Sequence, residues 1–543
     1  MKEYLRTLLE DALRRLGIPA EEPILLEKPR LPDHGDLTTN IAMLLGKRLK
    51  RNPRQLAEQI LQSLPVDPVQ FERVDVAGPG FINFRFTAAF YLQQLDKLLA
   101  QEERFGKSKL GMGKKTQVEF VSANPTGPLT VGHGRGAVFG DTVARLLEWT
   151  GHDVTREYYF NNAGRQMRIL GDSVRLRYLE LLGEPVEFPS DYYQGEYIRE
   201  IARHLKEEYR DSLRNEAAEG VFKTRAEQEI FADIRQTLKI LGVEFRSYFN
   251  ENSLYEEGKI KEVIEDLRLR GVVFDLDGAV WFKASVFGGE KDKVIVKSSG
   301  EPTYRLPDIA YHREKFRQGY DLMIDVFGAD HVATYPDVLA GLRALGLDTD
   351  KVKVLIHQFV TIVQDGEVVK MSTRKANFVT LDELIAEVGR DVVRYFFIMR
   401  SIGSHLNFDL RLAKEQSDEN PVYYLQYAHA RICSILRFAE SEGKDYGGPV
   451  KFDLLKTAEE GELIRALLDF PTIIESCALT FEPHRLTEYL HNVAGIFHKF
   501  YHLSRVVTED TELSKARLAL CRASKIVLQN GLAVLGIAAP EQM

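Results

Sequence analysis

Apolar residues recur along this chain at several different spacings, and the changes of spacing divide it into parts. Leu5, Leu8, Leu9, Ala12, Leu13 and Leu16 fall at helical intervals, with Gly17 after them as a stop. A second helical stretch runs from about Asn40 to Leu49. Val74-Asp75-Val76, the turn Gly78-Pro79-Gly80 and the run Phe81–Phe86 then read as paired strands. Gly106, Gly111 and Gly113, interleaved with lysines, read as a linker and put a boundary near residue 107.

Beyond the linker the pattern alternates between strand and helix. Thr116–Ser122 reads as a strand, and Asn124-Pro125-Thr126-Gly127-Pro128 forces a loop. A helix from about Gly132 to Trp149 carries Phe139, Val143, Leu146 and Leu147 on one face, and Asp153–Phe160 is strand-like again. Such a crossover implies a parallel sheet. A matching unit follows: strand Asp321–Phe327, a helix from about His331 to Leu345, and strand Val352–Phe359. The two halves are separated by an apparent insertion at roughly 165–300, helical and charged to about residue 270 and strand-like over Val273–Ser299. From about Leu410 the chain reads as helical, with stripes such as Leu425, Ala428, Ile432 and Leu436. The expectation is α/β and multidomain: an α+β part over 1–107, a Rossmann-like parallel-sheet part over 108–410, and an all-α bundle over 411–543.

Composition narrows the class. With 44% hydrophobic and 28% charged residues, collagenous, coiled-coil and disordered classes are excluded for the bulk of the chain. The 72 Lys and Arg against 80 Asp and Glu give a net charge of −8, so no general basic coat exists. A polyanionic partner would have to meet clustered cations such as Lys47, Arg48, Lys50, Arg51 and Arg54. Cys433, Cys477 and Cys521 lie far apart without a CxxC pair, which points to a reducing compartment and away from a disulfide framework or a cysteine zinc site. Charge begins at Lys2 and Glu3 with no apolar signal core, and Ile526–Ala539 is broken by Gln529, Asn530 and Gly531, so no membrane span is expected. A cytoplasmic location is the expectation.

The most informative segment is the loop after the first strand of the α/β part: Ala123, Asn124, Pro125, Thr126, Gly127, Pro128, Leu129, Thr130, Val131, Gly132 and His133. In open α/β sheets ligands sit beyond the carboxyl ends of strands, where helix N-termini favour anions. Gly127, Gly132, Gly134 and Gly136 would let backbone approach a nucleotide, and His133 and Arg135 offer groups for phosphate oxygens. No GxxxxGK[ST] motif occurs here, so this is not a P-loop. A second segment, Gly366 to Lys375, sets Lys370, Met371, Ser372, Thr373, Arg374 and Lys375 on a polar loop after the last strand. Flexible cations there suit a transition state that gathers negative charge transiently.

Together the two segments resemble the paired HIGH and KMSKS signatures of class I aminoacyl-tRNA synthetases, carried here by Thr130-Val131-Gly132-His133 and Lys370-Met371-Ser372-Thr373-Arg374. Glu119 to Pro128, Arg156 to Gly164, Asp308 to His312, Gly328 to His331, Asn420 to Arg431 and Ala539 to Met543 look like the arginyl-tRNA synthetase versions of their segments. The resemblance runs from Asp33 to the last residue. It implies a bacterial-type arginyl-tRNA synthetase: arginine and ATP form arginyl-adenylate and pyrophosphate, and arginine then passes to tRNA. By that resemblance Gly132, His133, Lys370, Met371 and Ser372 are catalytic, and Ala123–His133 is the ATP loop. Glu119, Ser122, Asn124, Tyr304 and Asp308 bind arginine, because a guanidinium calls for planar carboxylate partners.

The resemblance also implies ATP as substrate with Mg2+ on its phosphates, no tightly bound cofactor, no metal held by protein ligands, and a monomer. It assigns the N-terminal part to the outer corner of tRNA, with Asp33–Asn40 marking it and Asn40 as the candidate contact, and the helical part to the anticodon. There Tyr489, His498 and Tyr501 offer stacking and hydrogen bonds to unpaired bases. Two positions depart from the class motif: Thr130 replaces a histidine and Thr373 replaces a lysine. Glutamate or cysteine as the amino acid would call for a cationic pocket or a zinc cluster, and the alternative of another class is a non-catalytic tRNA-binding relative.

Overall fold

Helix α1 (Lys2–Arg15) buries Leu5, Leu9, Ala12 and Leu13, the stripe that its spacing dictates. The computed structural model describes residues 1–19, 24–29, 31–369, 380–443 and 448–543. Strand β1 (Leu37–Thr39), α2 (Ile41–Leu49), α3 (Pro53–Ser63), β2 (Phe71–Ala77) and β3 (Phe81–Phe86) complete the first part. Its antiparallel sheet has the order β1-β3-β2. Asn52 caps α3 by accepting from the N–H groups of Arg54 and Gln55, with Pro53 at the first helical position. Helix α4 (Ala88–Gln101) then leads to the glycine-rich turns.

The α/β part begins with β4 (Lys115–Glu119), α5 (Val131–Trp149) and β5 (Asp153–Phe160). Helices α6 (Gly164–Leu181), α7 (Glu196–Tyr209) and α8 (Lys223–Leu241) follow, then β6 (Ser247–Asn250), α9 (Asn252–Glu256) and α10 (Lys259–Leu269). A small antiparallel sheet, β7 (Val273–Leu276), β8 (Ala279–Phe282) and β9 (Lys293–Val296), precedes α11 (Arg305–Arg317). The second half is β10 (Leu322–Gly328), α12 (Tyr335–Ala344) and β11 (Val352–His357). The main sheet has the order β11-β10-β4-β5-β6 and is parallel throughout. Its edge strand β6 lies inside the stretch expected to be a pure insertion. Every residue of Ser247–Asn250 is half-buried, so the strand lacks the alternation that would reveal it.

Strands β12 (Val360–Gln364), β13 (Glu367–Val368) and β14 (Leu406–Asp409) form a separate sheet beside α13 (Leu381–Val388) and α14 (Arg390–Ile398). Helix α15 (Leu410–Lys414) opens the helical part, which contains α16 (Pro421–Ser441), α17 (Ala458–Leu468), α18 (Phe470–Thr480), α19 (His484–Leu503) and α20 (Thr511–Leu535). By length and hydropathy α20 matches a membrane span, yet 72% of its most apolar window is buried within the protein. It packs against α16, α19, α4 and α5, as the central helix of a bundle does.

The parts are locked to one another. Arg6 reaches Glu475 on α18 at 2.7 Å, and Asn530 Nδ2 donates to the carbonyls of Glu102 and Phe105. Arg394, fully buried, donates to Asp141 on α5 at 2.7 Å, to Leu535 O at 2.9 Å and to Leu241 O at 3.1 Å. One guanidinium thus ties together α5, α8, α14 and α20. Arg394→Met leaves those acceptors unpaired and is expected to destabilise the protein by about 3–5 kcal/mol. A lowered urea midpoint reads this out, and an unchanged midpoint refutes it.

Candidate functional site

The site is built on the carboxyl end of β4. Val121 and Ser122 have φ of +68° and +45°, a left-handed conformation that a β-branched residue adopts only when its surroundings enforce it. The enforcement is visible. Tyr158 donates its hydroxyl to Ala123 O at 2.7 Å, and Tyr159 N–H donates to Ser122 Oγ at 3.2 Å. Asn161 N–H donates to Asn124 Oδ1 at 3.0 Å, and Tyr197 of α7 donates to Thr126 O at 2.8 Å. The expected strand Thr116–Ser122 therefore stops at Glu119, and the next residues turn over the sheet edge.

Thr130 is the N-cap of α5. Its hydroxyl accepts from His133 N–H, and His133 Nδ1 accepts from Thr130 N–H at 3.2 Å, a reciprocal capping box. The threonine at the histidine position of the class motif thus serves the helix end. With Nδ1 accepting, the imidazole hydrogen sits on Nε2. Burial lowers the His133 pKa, partly countered by Asp330, so the ring is a neutral donor at physiological pH. A Cβ on Gly132 would meet nothing closer than Thr130 Oγ1 at 3.6 Å, so the helix start faces open space.

Two expectations about this loop are corrected. At Gly134 a Cβ would lie 2.5 Å from Leu381 and 2.9 Å from Phe397, so this glycine serves close packing and not a nucleotide. Arg135 is 1% exposed, and its guanidinium donates to the carbonyls of Gln358, Ser404 and Ser401. It braces loops behind the site and does not reach out for phosphate.

Glu119, Ser122 and Asp308 converge. Ser122 Oγ donates to Glu119 Oε1 at 3.0 Å, and Lys315 Nζ holds Glu119 Oε2 at 2.6 Å. Asp308 lies in the first turn of α11, half-buried, and its carboxyl makes no hydrogen bond or ion pair among the described residues. Burial, with Glu251 and Glu119 nearby and only partial relief from His312 and Lys315, pushes it up to about 7. Asn124 sits alongside, donating to Gln166. Tyr304 is 54% exposed at the start of α11, with the Arg305 guanidinium 4.6 Å from its ring. Lys370, Met371 and Ser372 lie outside the described residues. The residues on either side are anchored close by: Val369 N–H donates to Ile362 O, Thr380 bridges to Thr130, and Leu381 N–H donates to Leu129 O at 2.9 Å.

Sequence reasoning missed three residues here. Glu251 accepts from Tyr159 and from Asn161 Nδ2 at 2.8 Å, and burial raises its pKa. His357 ends β11, and its buried Nδ1 makes no close hydrogen bond among the described residues. Burial lowers its pKa to about 4, with Arg135 and His133 adding to the effect. Lys315 is the third. His357 was legible as the end of a strand, and Lys315 as seven residues after Asp308 on one helical face. Glu251 carried no signal.

In the helical part, a cleft of about 1400 Å³ opens between α16 and α19, lined by Tyr427, Arg431, His498, Tyr501 and Met543 among others. The Arg431 guanidinium stands 4.8 Å from the Tyr427 ring and 5.4 Å from that of Tyr501, and His498 Nε2 makes no hydrogen bond among the described residues. Tyr489 is not part of it. Its ring packs on Phe470 and its hydroxyl donates to Ala466 O at 2.7 Å, so it belongs to the bundle core. Asn40 lies far from this cleft in sequence, at the start of α2, with Oδ1 buried and without a hydrogen bond among the described residues.

A five-stranded parallel sheet whose central strand feeds a glycine-bearing loop and a capped helix is the catalytic fold of the class I aminoacyl-tRNA synthetases. Residues 94–395 match the profile for "tRNA synthetases class I (R), catalytic domain". Residues 3–86 match "Arginyl tRNA synthetase N terminal domain" and residues 425–543 match "DALR anticodon binding domain". The chain belongs to the arginyl-tRNA synthetase family. It is 52% identical to an arginine–tRNA ligase of Desulfotalea psychrophila, over 95% of this chain and 94% of that one. It is 51% identical to that of Salinibacter ruber over the full length of both. The arginyl-tRNA synthetase structure of Thermus thermophilus shares the fold across 100% of both chains, with a TM-score of 0.75 at 22% identity.

Proposed function

We propose that this protein is an arginine–tRNA ligase, converting ATP, L-arginine and tRNA(Arg) into arginyl-tRNA, AMP and diphosphate through an arginyl-adenylate. The observation that carries the pocket assignment is Asp308, a carboxyl with no hydrogen-bond or ion-pair partner among the described residues and pressed by Glu251 and Glu119. Such a group is relieved by a cation, and a guanidinium bridges it to Glu119 with planar paired donors. Ser122 and Asn124 face the α-amino end, and Tyr304 covers the side chain from the mouth.

The arginine carboxylate attacks the α-phosphorus of ATP, and diphosphate leaves from the opposite side. The nucleophile is already ionised, so no general base is required, and rate comes from positioning and charge stabilisation. The Val131 and Gly132 N–H groups at the open start of α5 and His133 Nε2–H would meet phosphate oxygens. Ala123–His133 forms the ATP loop, and Lys370, with Met371 and Ser372, would steady the departing diphosphate. Mg2+ would arrive on the phosphates and their waters. Among the described residues no group of three His, Cys, Asp or Glu is placed to hold a metal. The three working parts are residues 1–107, 108–410 and 411–543. Asn40 would touch the outer corner of the tRNA, and His498, Tyr501 and Arg431 its anticodon. A monomer in the cytoplasm is the expected working form.

ATP–diphosphate exchange tests this with each of the twenty amino acids, with and without total tRNA. Exchange with arginine, and with no other amino acid, is expected. Exchange with another amino acid moves the pocket assignment. No exchange under any condition favours the non-catalytic reading.

A further inference from the structure

Behind the proposed arginine pocket lies a row of carboxylates that the fold places side by side. Glu119 on β4 is in register with Asp325 on β10 and with Glu157 on β5, and all three are buried. Adjacent strands stand about 4.8 Å apart, so three carboxyls crowd together across the middle of the sheet. Helix α11 crosses this row with Asp308, Tyr311, His312 and Lys315, spaced at i, i+3, i+4 and i+7 on one face.

Two of the three carboxyls are met by cations and the third by neutral donors. Lys315, 0% exposed, lies 2.6 Å from Glu119 Oε2 and 2.6 Å from Asp325 Oδ1, with Nζ 4.3 Å from the Tyr311 ring centroid. His312 Nε2 meets Asp325 Oδ2 at 2.9 Å, and its Nδ1 meets the Asp308 carbonyl at 2.8 Å. Both nitrogens face acceptors, so both carry hydrogens and the ring is a cation. Burial opposes charge on both cations, yet Asp325 and Glu119 outweigh it and raise both pKa values. Glu157 is satisfied separately by Gln117, Tyr311 and Ser247. The quartet of Glu119, Asp325, Lys315 and His312 is neutral and closed. It links the end of β4 to the first turn of α11, the two places that carry the arginine-facing carboxyls.

We propose that Lys315 is a positioning and specificity-determining residue: its buried ammonium takes the inner oxygen of Glu119 and leaves the substrate only Glu119 Oε1 and Asp308, a divided pair of acceptors that fits a guanidinium fork and underserves a single ammonium. This deepens the arginine reading and rests on it. Without Lys315 the row carries an extra negative charge and Glu119 is held by Ser122 Oγ alone. Any cation is then attracted, and lysine or ornithine gains what arginine alone received through geometry.

Two variants, assayed as full-length protein by ATP–diphosphate exchange in the presence of tRNA, test this with arginine, lysine and ornithine. In Lys315→Met, arginine kcat/KM is expected to fall about tenfold while that for lysine rises or holds, so the arginine-to-lysine ratio drops by at least about tenfold. A role confined to stability lowers thermal midpoint and kcat but leaves that ratio unmoved, and a ratio within about threefold of the unsubstituted protein overturns the proposal. Asp325→Asn keeps the shape and shifts the local charge the other way, so, should Lys315→Met fail to fold, it reads whether the charge balance that Lys315 sets is felt in the pocket. KM for arginine and for lysine should both rise about tenfold with kcat little changed, and unchanged KM values overturn the proposal. Arginine-specific exchange by the unsubstituted protein with a flat ratio in Lys315→Met defeats this inference alone. Exchange specific for another amino acid defeats it together with the arginine reading.

Discussion

Asp308→Asn is expected to lower kcat/KM for arginine by about 10²- to 10³-fold, almost all of it through KM. The carboxyl has no hydrogen-bond or ion-pair partner among the described residues, so the fold loses nothing by its neutralisation. An amide can still accept one hydrogen bond, but it cannot offset a buried guanidinium charge. The pH dependence separates this from a general defect. In the arginine-free protein the group sits near 7, raised by burial and by Glu251 and Glu119, with His312 and Lys315 acting in the opposite sense. Tyr159 and Tyr255, the other titratable groups close to it, have pKa values raised far out of the neutral range. Arginine binds the ionised form, so below that pKa each binding event must expel a proton. Apparent arginine affinity should therefore weaken by up to about tenfold per pH unit as pH falls from 7 towards 5, and level off above 8. In Asp308→Asn this limb should vanish. Isothermal titration at pH 6 and 8 measures both effects, and a variant that keeps the slope, or binds arginine normally, removes Asp308 from the pocket.

His133→Ala is expected to reduce kcat for ATP–diphosphate exchange by about 10²- to 10³-fold with little change in arginine KM, as for loss of one preorganised donor to a charge-gathering transition state. The donor is fixed before ATP arrives. Thr130 N–H occupies Nδ1, so the hydrogen is held on Nε2 by the helix cap itself. Burial lowers the imidazole pKa and favours the neutral ring, so this contribution should stay flat between pH 7.5 and 8.5. His133→Gln preserves the reach back to the cap that glutamine can supply at the third helical position, and so separates the cap from the donor. If the glutamine variant restores the thermal midpoint but not kcat, the donor role stands. If it restores both, or if alanine costs no activity, the cap was the whole contribution.

Much of this protein was legible in one dimension because local rules wrote it there. The α1 stripe, the helix from about Gly132 to Trp149 and the two strand–helix–strand units follow from apolar spacing, and each appears within a few residues of its expected place. The ends were less legible. The expected strand through Ser122 stops at Glu119 because Tyr158, Tyr159 and Asn161, far along the chain, pull the loop into a left-handed turn. Strand β6 was invisible because its four residues are all half-buried, so no period exists to detect. Tyr489 shows the converse. As a tyrosine on a helix it was a fair candidate for stacking on a base, and only packing reveals that Phe470 and two backbone carbonyls already hold it.

The same division runs through the site. Motif residues and their resemblance to a known family were enough to name the family and to choose Glu119, Asp308 and His133 as candidates. The sequence by itself determined which groups are present and in what order. Tertiary structure alone decided their states: that Glu119 shares its inner oxygen with Lys315, that Arg135 turns inward, that Thr130 sets the His133 tautomer, and that Glu251 presses on Asp308. The physical reason is that charge, tautomer and open valence are set by neighbours across space. Lys315 reaches a partner 196 positions away in the chain, and no local pattern encodes that pairing.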